Sequence, residues 1–205
     1  MVDKIMMSLH GEAPVTFVLL LLMVTTSIYA LRNKTAYYRL LLHPYSISKK
    51  NQYYRLFTSD FVHNDLMHLV LNGLMLYVFG ANLEEFLNNR SAWGSLQLLV
   101  IYMVSLLTGT IITTIRHRND FYYSSAGASG SILGCMFAFI LVDHSYVPLY
   151  LPVIGGVNNL YSGLIYIALL IFYQKKQGSS INHELHILGA LGGIMATLIM
   201  FPGLL

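Results

Sequence analysis

Apolar residues fall in long runs along this chain, and polar residues cluster between them. Six runs are long enough to matter: approximately 14–31, 65–81, 93–115, 127–143, 158–174 and 184–204. A bilayer core is crossed by about 20 helical residues, within a range of roughly 17–25. Backbone polar groups in hydrocarbon must be satisfied inside the element, so each run is read as an α-helix. A β-barrel would need alternating segments of about 10 residues, and no such alternation is visible. The pattern predicts an all-α integral membrane protein, a bundle of six transmembrane helices. The first run, Pro14 to Leu31, also admits a signal-peptide reading. Only Lys4 precedes it, and there is no clean small-residue cleavage pattern near Ala30. Because apolar runs continue along the chain, a membrane anchor is expected.

The connections are uneven. The first loop, Arg32 to Asn64, is long and holds Leu40, Leu41, Leu42, Tyr53, Tyr54, Leu56 and Phe57. It is expected to lie partly in the membrane interface, where tyrosine and arginine are stable. The other loops, Asn82–Ala92, Arg116–Ala126, His144–Val157 and Gln174–His183, are short. No internal repeat or low-complexity segment divides the chain, so residues 1–205 are read as one domain.

Composition sharpens this picture. The chain is 56% hydrophobic and 10% charged, where a soluble domain carries about 25% charged residues. The net charge is +3, but the cations sit in clusters between apolar runs, so no nucleic-acid-binding stripe is expected. The expected surroundings are a lipid bilayer. Cys135 is the sole cysteine and excludes a disulfide within one chain.

Polar side chains inside membrane helices are expensive and therefore mark candidate sites. One set opens the second helix, with His63, His68 and Asn72. His68 and Asn72 are four apart, share a face and can both donate hydrogen bonds. A second set, Gly127-Ala-Ser129-Gly130, opens the fourth helix. Small neighbours permit close approach to Ser129, and a helix N-terminus favours developing negative charge. A third, opening the sixth helix, places His186 on one face with Gly189 and Gly193. Each set alone is adequately explained by helix packing: Gly130 with Gly134, and Gly189 with Gly193, are Gly-xxx-Gly pairs. Together they are not. In a zigzag chain the second, fourth and sixth helices start at the same face, so His68, Asn72, Ser129 and His186 share one depth. A nucleophile, a base and two neutral donors fill the roles of acyl transfer.

These motifs resemble those of the rhomboid family of intramembrane serine proteases. Its His-x4-His-x3-Asn matches His63, His68 and Asn72. Its Gly-x-Ser-Gly matches Gly127 to Gly130, and its His-x2-Gly-x3-Gly matches His186, Gly189 and Gly193. Tyr54-Arg55 stands where the family usually has Trp-Arg, and Glu84 fits its acidic residue after the second helix. The resemblance implies a Ser129–His186 dyad without cofactor or metal. Its oxyanion donors would be the Ser129 backbone N–H, His68 and Asn72, with His63, Gly127, Gly130, Gly189, Gly193 and Arg55 in support. Transmembrane protein substrates would be the partners. Departures from the family pattern are Leu133 for an aromatic four residues after the serine, Leu185 for alanine before the histidine, and Tyr54 for tryptophan.

Two rival readings remain: an inactive rhomboid-like protein that binds membrane proteins, and a metal-dependent protein using His63, His68, His183 and His186. The latter lacks His-Glu-x-x-His and leaves Ser129 without a role. A transporter would show inverted repeats or broken helices, and neither is visible. The expected location is a bacterial plasma membrane. Orientation divides two arguments. The resemblance puts the first, third and fifth loops, and the site, on the non-cytoplasmic side. Yet that side carries Arg32, Lys34, Arg39, Lys49, Lys50, Arg55, Arg116, Arg118, Lys175 and Lys176, against Lys4 and Arg90 opposite, contrary to the positive-inside rule. The family orientation, with a cytoplasmic N-terminus, is the one expected here.

Overall fold

The computed structural model describes residues 13–151, 155–176 and 183–204. Lys4, and the part of the Gln174–His183 loop from 177 to 182, lie outside the described residues.

Helix α1 (Pro14–Arg32) is followed by three short helices of the first loop: α2 (Lys34–Leu40), α3 (Pro44–Lys50) and α4 (Arg55–Thr58). Next come α5 (Leu66–Met75), a π-helical stretch at Leu76–Ala81, and α6 (Asn82–Asn88), running as one rod from Leu66 to Asn88. They are followed by α7 (Gly94–His117), α8 (Ser129–Val142), a two-stranded antiparallel ribbon (β1 Leu149–Leu151, β2 Gly155–Val157), α9 (Asn159–Lys176) and α10 (His183–Met200). Among the described residues, α1, the Leu66–Asn88 rod, α7 and α10 are long and apolar enough to cross a membrane. α8 and α9 are shorter apolar helices. The protein is a multi-span helical membrane bundle.

Two sequence-based boundaries are corrected. The second helix does not end near residue 81, because the π stretch carries it through to Asn88. An extra residue per turn keeps the backbone paired, so periodicity shows no stop. The sixth ends at Met200 rather than 204, where Pro202 cannot continue it.

Each end of the bundle is satisfied by particular side chains. The buried Glu84 carboxylate accepts the first amides of α1, Val15 N at 2.9 Å and Thr16 N at 2.8 Å. An anion there complements both the unpaired N–H groups and the helix dipole. The first loop is folded around Arg55, which is 6% exposed. Its Nη1 donates to the carbonyls of Tyr38 (2.9 Å) and Leu41 (2.8 Å), and its Nε to Gln52 Oε1 (2.7 Å). Burial lowers the Arg55 pKa, though guanidinium stays charged at ordinary pH.

α8 lies at the centre, packed against α7, α9, α10 and the π stretch. It meets α10 along a seam of glycines. A Cβ on Gly189 would stand 2.5 Å from the Gly130 carbonyl oxygen, and one on Gly193 closer still to that of Gly134. The two backbones touch, so no side chain larger than hydrogen fits between them.

Candidate active site

Ser129 is the first residue of α8, and its placement begins in the preceding turn. Gly127 has φ +117°, a conformation L side chains rarely adopt. A Cβ there would also lie 2.6 Å from His68 Cε1. Gly127 N donates to Ser59 O at 2.9 Å, and Ser125 and Leu42 exchange both backbone hydrogen bonds. The folded first loop therefore holds the strand leading to Ser129. Below it, the Asp60 carboxylate accepts from the buried Tyr102 hydroxyl of α7, anchoring the same turn.

His186 lies in the first turn of α10. Its Nε2 is 2.6 Å from Ser129 Oγ, a contact that joins residues 57 apart in sequence. The glycine seam below is what brings the two helix starts this close. Leu185, in place of the family's alanine, packs over Gly130 and against Leu42 and Ile47 of the first loop. Leu133 and His186 line a cavity of about 240 Å³ together with Phe137, Ile167 and Leu170. This space flanks the imidazole where an aromatic residue would stand.

His68 and Asn72 face the turn at Gly127 from α5. Asp65 caps that helix, its carboxylate accepting from His68 N at 2.9 Å. The His63 ring packs edge-on against His68, with centroids 4.9 Å apart. His63 Nδ1 is 2.8 Å from Ser27 Oγ, and that hydroxyl donates to Phe61 O at 2.9 Å. Since the one hydroxyl proton is used, His63 Nδ1–H is the donor to Ser27, tying the histidine pair to α1. Asn72 Oδ1 accepts from Tyr166 of α9 at 3.2 Å. Its Nδ2 is buried, has no hydrogen-bond partner among the described residues, and stands on the side of Gly127.

The fold thus brings Ser129, His186, His68 and Asn72 to one place, with Gly127, Gly130, Gly189 and Gly193 shaping it and His63 and Arg55 behind it. Glu184 turns away from His186, pairing at 3.0 Å with both Arg116 and His117 at the end of α7. Tyr166 and Asp60 escaped the sequence reading. Asp60 carried a usable signal, because a buried carboxylate requires a partner. Among the described residues no three His, Cys, Asp or Glu side chains converge as a metal site would require.

A serine hydroxyl bonded to an imidazole, with the Asn72 amide and the His68 imidazole beside the turn that precedes the serine, has the form of an acyl-transfer site. The Rhomboid domain model matches residues 50–203, three quarters of the chain. This chain belongs to the rhomboid family. Rhomboid protease GluP of Bacillus subtilis (strain 168) is 30% identical over 151 residues, covering 74% of this chain and 27% of that protein. Putative rhomboid protease YdcA of the same strain is 27% identical over 184 residues, covering 88% and 85%. RHOMBOID-like protein 6, mitochondrial, of Arabidopsis thaliana is 31% identical over 90 residues, covering 44% and 26%. This rhomboid therefore spans about a quarter of the length of GluP and of the Arabidopsis protein, and most of YdcA.

Proposed function

We propose that this rhomboid is an intramembrane serine endopeptidase that cuts transmembrane protein substrates through a Ser129–His186 dyad. The observation that carries the reading is the 2.6 Å contact between Ser129 Oγ and His186 Nε2. In the proposed reaction Ser129 Oγ attacks the scissile carbonyl carbon while neutral His186, protonated at Nδ1, accepts the hydroxyl proton at Nε2. The tetrahedral oxyanion takes hydrogen bonds from Ser129 N–H, His68 and Asn72 Nδ2. The C–N bond then breaks, and His186 returns the proton to the leaving amine. Water, activated by the same imidazole, hydrolyses the acyl-enzyme and restores Ser129. No step calls for a metal or a cofactor.

The length of α8 supports a site at membrane depth. Fourteen residues make a helix of about 21 Å, against a hydrocarbon core of about 30 Å. If α8 ends at one surface, Ser129 lies inside the membrane, where irregular backbone such as Gly127–Ala128 is tolerated because it is buried in protein. The names Rhomboid protease GluP and Putative rhomboid protease YdcA agree with this reading. The proposal includes a bacterial plasma membrane as the location, with residues 1–205 as one domain and the first loop partly embedded in the interface.

The test is cleavage of a model transmembrane substrate by the purified protein in lipid. Wild type should cut it, and Ser129→Ala and His186→Ala should not, at unchanged melting temperature. Cleavage by Ser129→Ala at the wild-type rate would end the proposal. If correctly folded wild type neither cuts nor reacts at Ser129, the reading passes to a rhomboid-like protein that binds membrane proteins without cutting them.

A further inference from the structure

The loops on the side of the site carry ten Lys and Arg residues, and the catalytic reading uses none of them directly. Some are already engaged: Arg55 within the first loop, and Arg116 on Glu184. Lys49 and Arg118 are different. Among the described residues neither meets a carboxylate, and both line one open groove of about 630 Å³ between the first loop and the end of α7.

The rest of the groove is built for an amphipathic occupant. Ile111, Thr114, Ile115 and Arg118 follow one another at helical spacing, so they form a single stripe on α7. Ile111 and Ile115 are exposed, and they run from the cations toward the membrane interior. Two cations at the mouth and an apolar track beneath match a phosphate head with a chain attached. An acidic protein segment would use the cations and leave the isoleucine track uncovered.

We propose that this groove binds one anionic phospholipid. Its phosphate sits between Lys49 and Arg118, and an acyl chain lies along Ile111 and Ile115. Basic residues near a lipid surface each favour anionic headgroups. Binding here positions the first loop against α7 and so uses part of the cation excess that the positive-inside count leaves without explanation. The inference concerns the membrane protein as such and does not depend on proteolysis.

The full chain is reconstituted into nanodiscs of equal parts phosphatidylglycerol and phosphatidylcholine, extracted gently, and weighed with its retained lipid by native mass spectrometry. Wild type should retain one phosphatidylglycerol in preference to phosphatidylcholine. Lys49→Ala with Arg118→Ala should lose that preference by about thirty-fold, the factor for two surface cations. If the double alanine variant fails to fold, Lys49→Gln with Arg118→Gln is read in the same way. Lys34→Ala with Lys50→Ala removes equal charge elsewhere and should change nothing. Equal retention by wild type and the groove variant overturns the proposal. So does an equal loss in the Lys34/Lys50 control, which would reveal only a diffuse surface field. Displacement of the lipid by millimolar inorganic phosphate would likewise overturn it, leaving an anion site without lipid character.

Discussion

At the scale of single residues, the proposed chemistry depends on donors held still. Asn72 has one amide, and Tyr166 fixes which end of it faces Gly127. In a well-studied serine protease, losing one oxyanion donor costs about 10²–10³ in turnover. Asn72→Ala and His68→Ala should therefore lower kcat by about that factor while KM changes little. Tyr166→Phe removes only the hydrogen bond that orients Asn72. A neutral hydrogen bond contributes about 1 kcal/mol, so its loss should lower kcat by about five-fold, again with KM steady. A purely structural Tyr166 would instead lower the melting temperature and leave kcat per folded molecule intact. Residues with chemistry in their side chains were readable from sequence, because His68, Asn72, Ser129 and His186 stand out in apolar surroundings. Tyr166 was not read, since a tyrosine in an apolar run looks like one more hydrophobe until its partner is known.

At the scale of elements, helix identity was legible because the apolar runs are long and uninterrupted, although among the described residues only four helices are long and apolar enough to cross a membrane. The interior of the first loop was not legible. Residues 32–64 form three short helices held by Arg55 and by Thr58 donating to Leu40 O. Such contacts between side chain and backbone carry no periodicity. The length of the second helix was also hidden by the π stretch. Glu84 matched a family position, but its task appears only in three dimensions, where it caps α1 from 68 and 69 residues away. Hydrogen bonds to charged groups are worth about 1.5–3 kcal/mol each. Glu84→Gln keeps an acceptor but loses the charge, and should reduce stability by about 1–2 kcal/mol, with near-normal cleavage per folded molecule. Thermal unfolding in lipid measures the first quantity and the substrate assay the second. Unchanged stability would show that the cap is dispensable.

At the scale of the whole molecule, the expected convergence of three helix starts rested on simple zigzag topology. The glycine seam between α8 and α10 is the physical means by which two of those starts come within hydrogen-bond reach. Orientation across the membrane is a separate matter. A bundle has the same contacts either way up, so neither packing nor the site fixes it. The proposal takes the family orientation, with the site opening to the non-cytoplasmic side. Arg55 and Arg116 are tied into the fold, and so are less free to bias insertion than a plain count assumes. A reporter active only in the cytoplasm should be silent when inserted near Asn119. Activity there would mean that the positive-inside rule prevails and that substrates are met on the cytoplasmic face.

The central claim is that Ser129 is a nucleophile activated by His186, and one labelling measurement reaches it most directly. The purified protein in lipid is incubated with a fluorophosphonate probe, and the modified residue is mapped by peptide mass spectrometry. A single adduct on Ser129 is expected, absent in Ser129→Ala and lost in folded His186→Ala. An adduct on another residue, or undiminished labelling of Ser129 without His186, would contradict it.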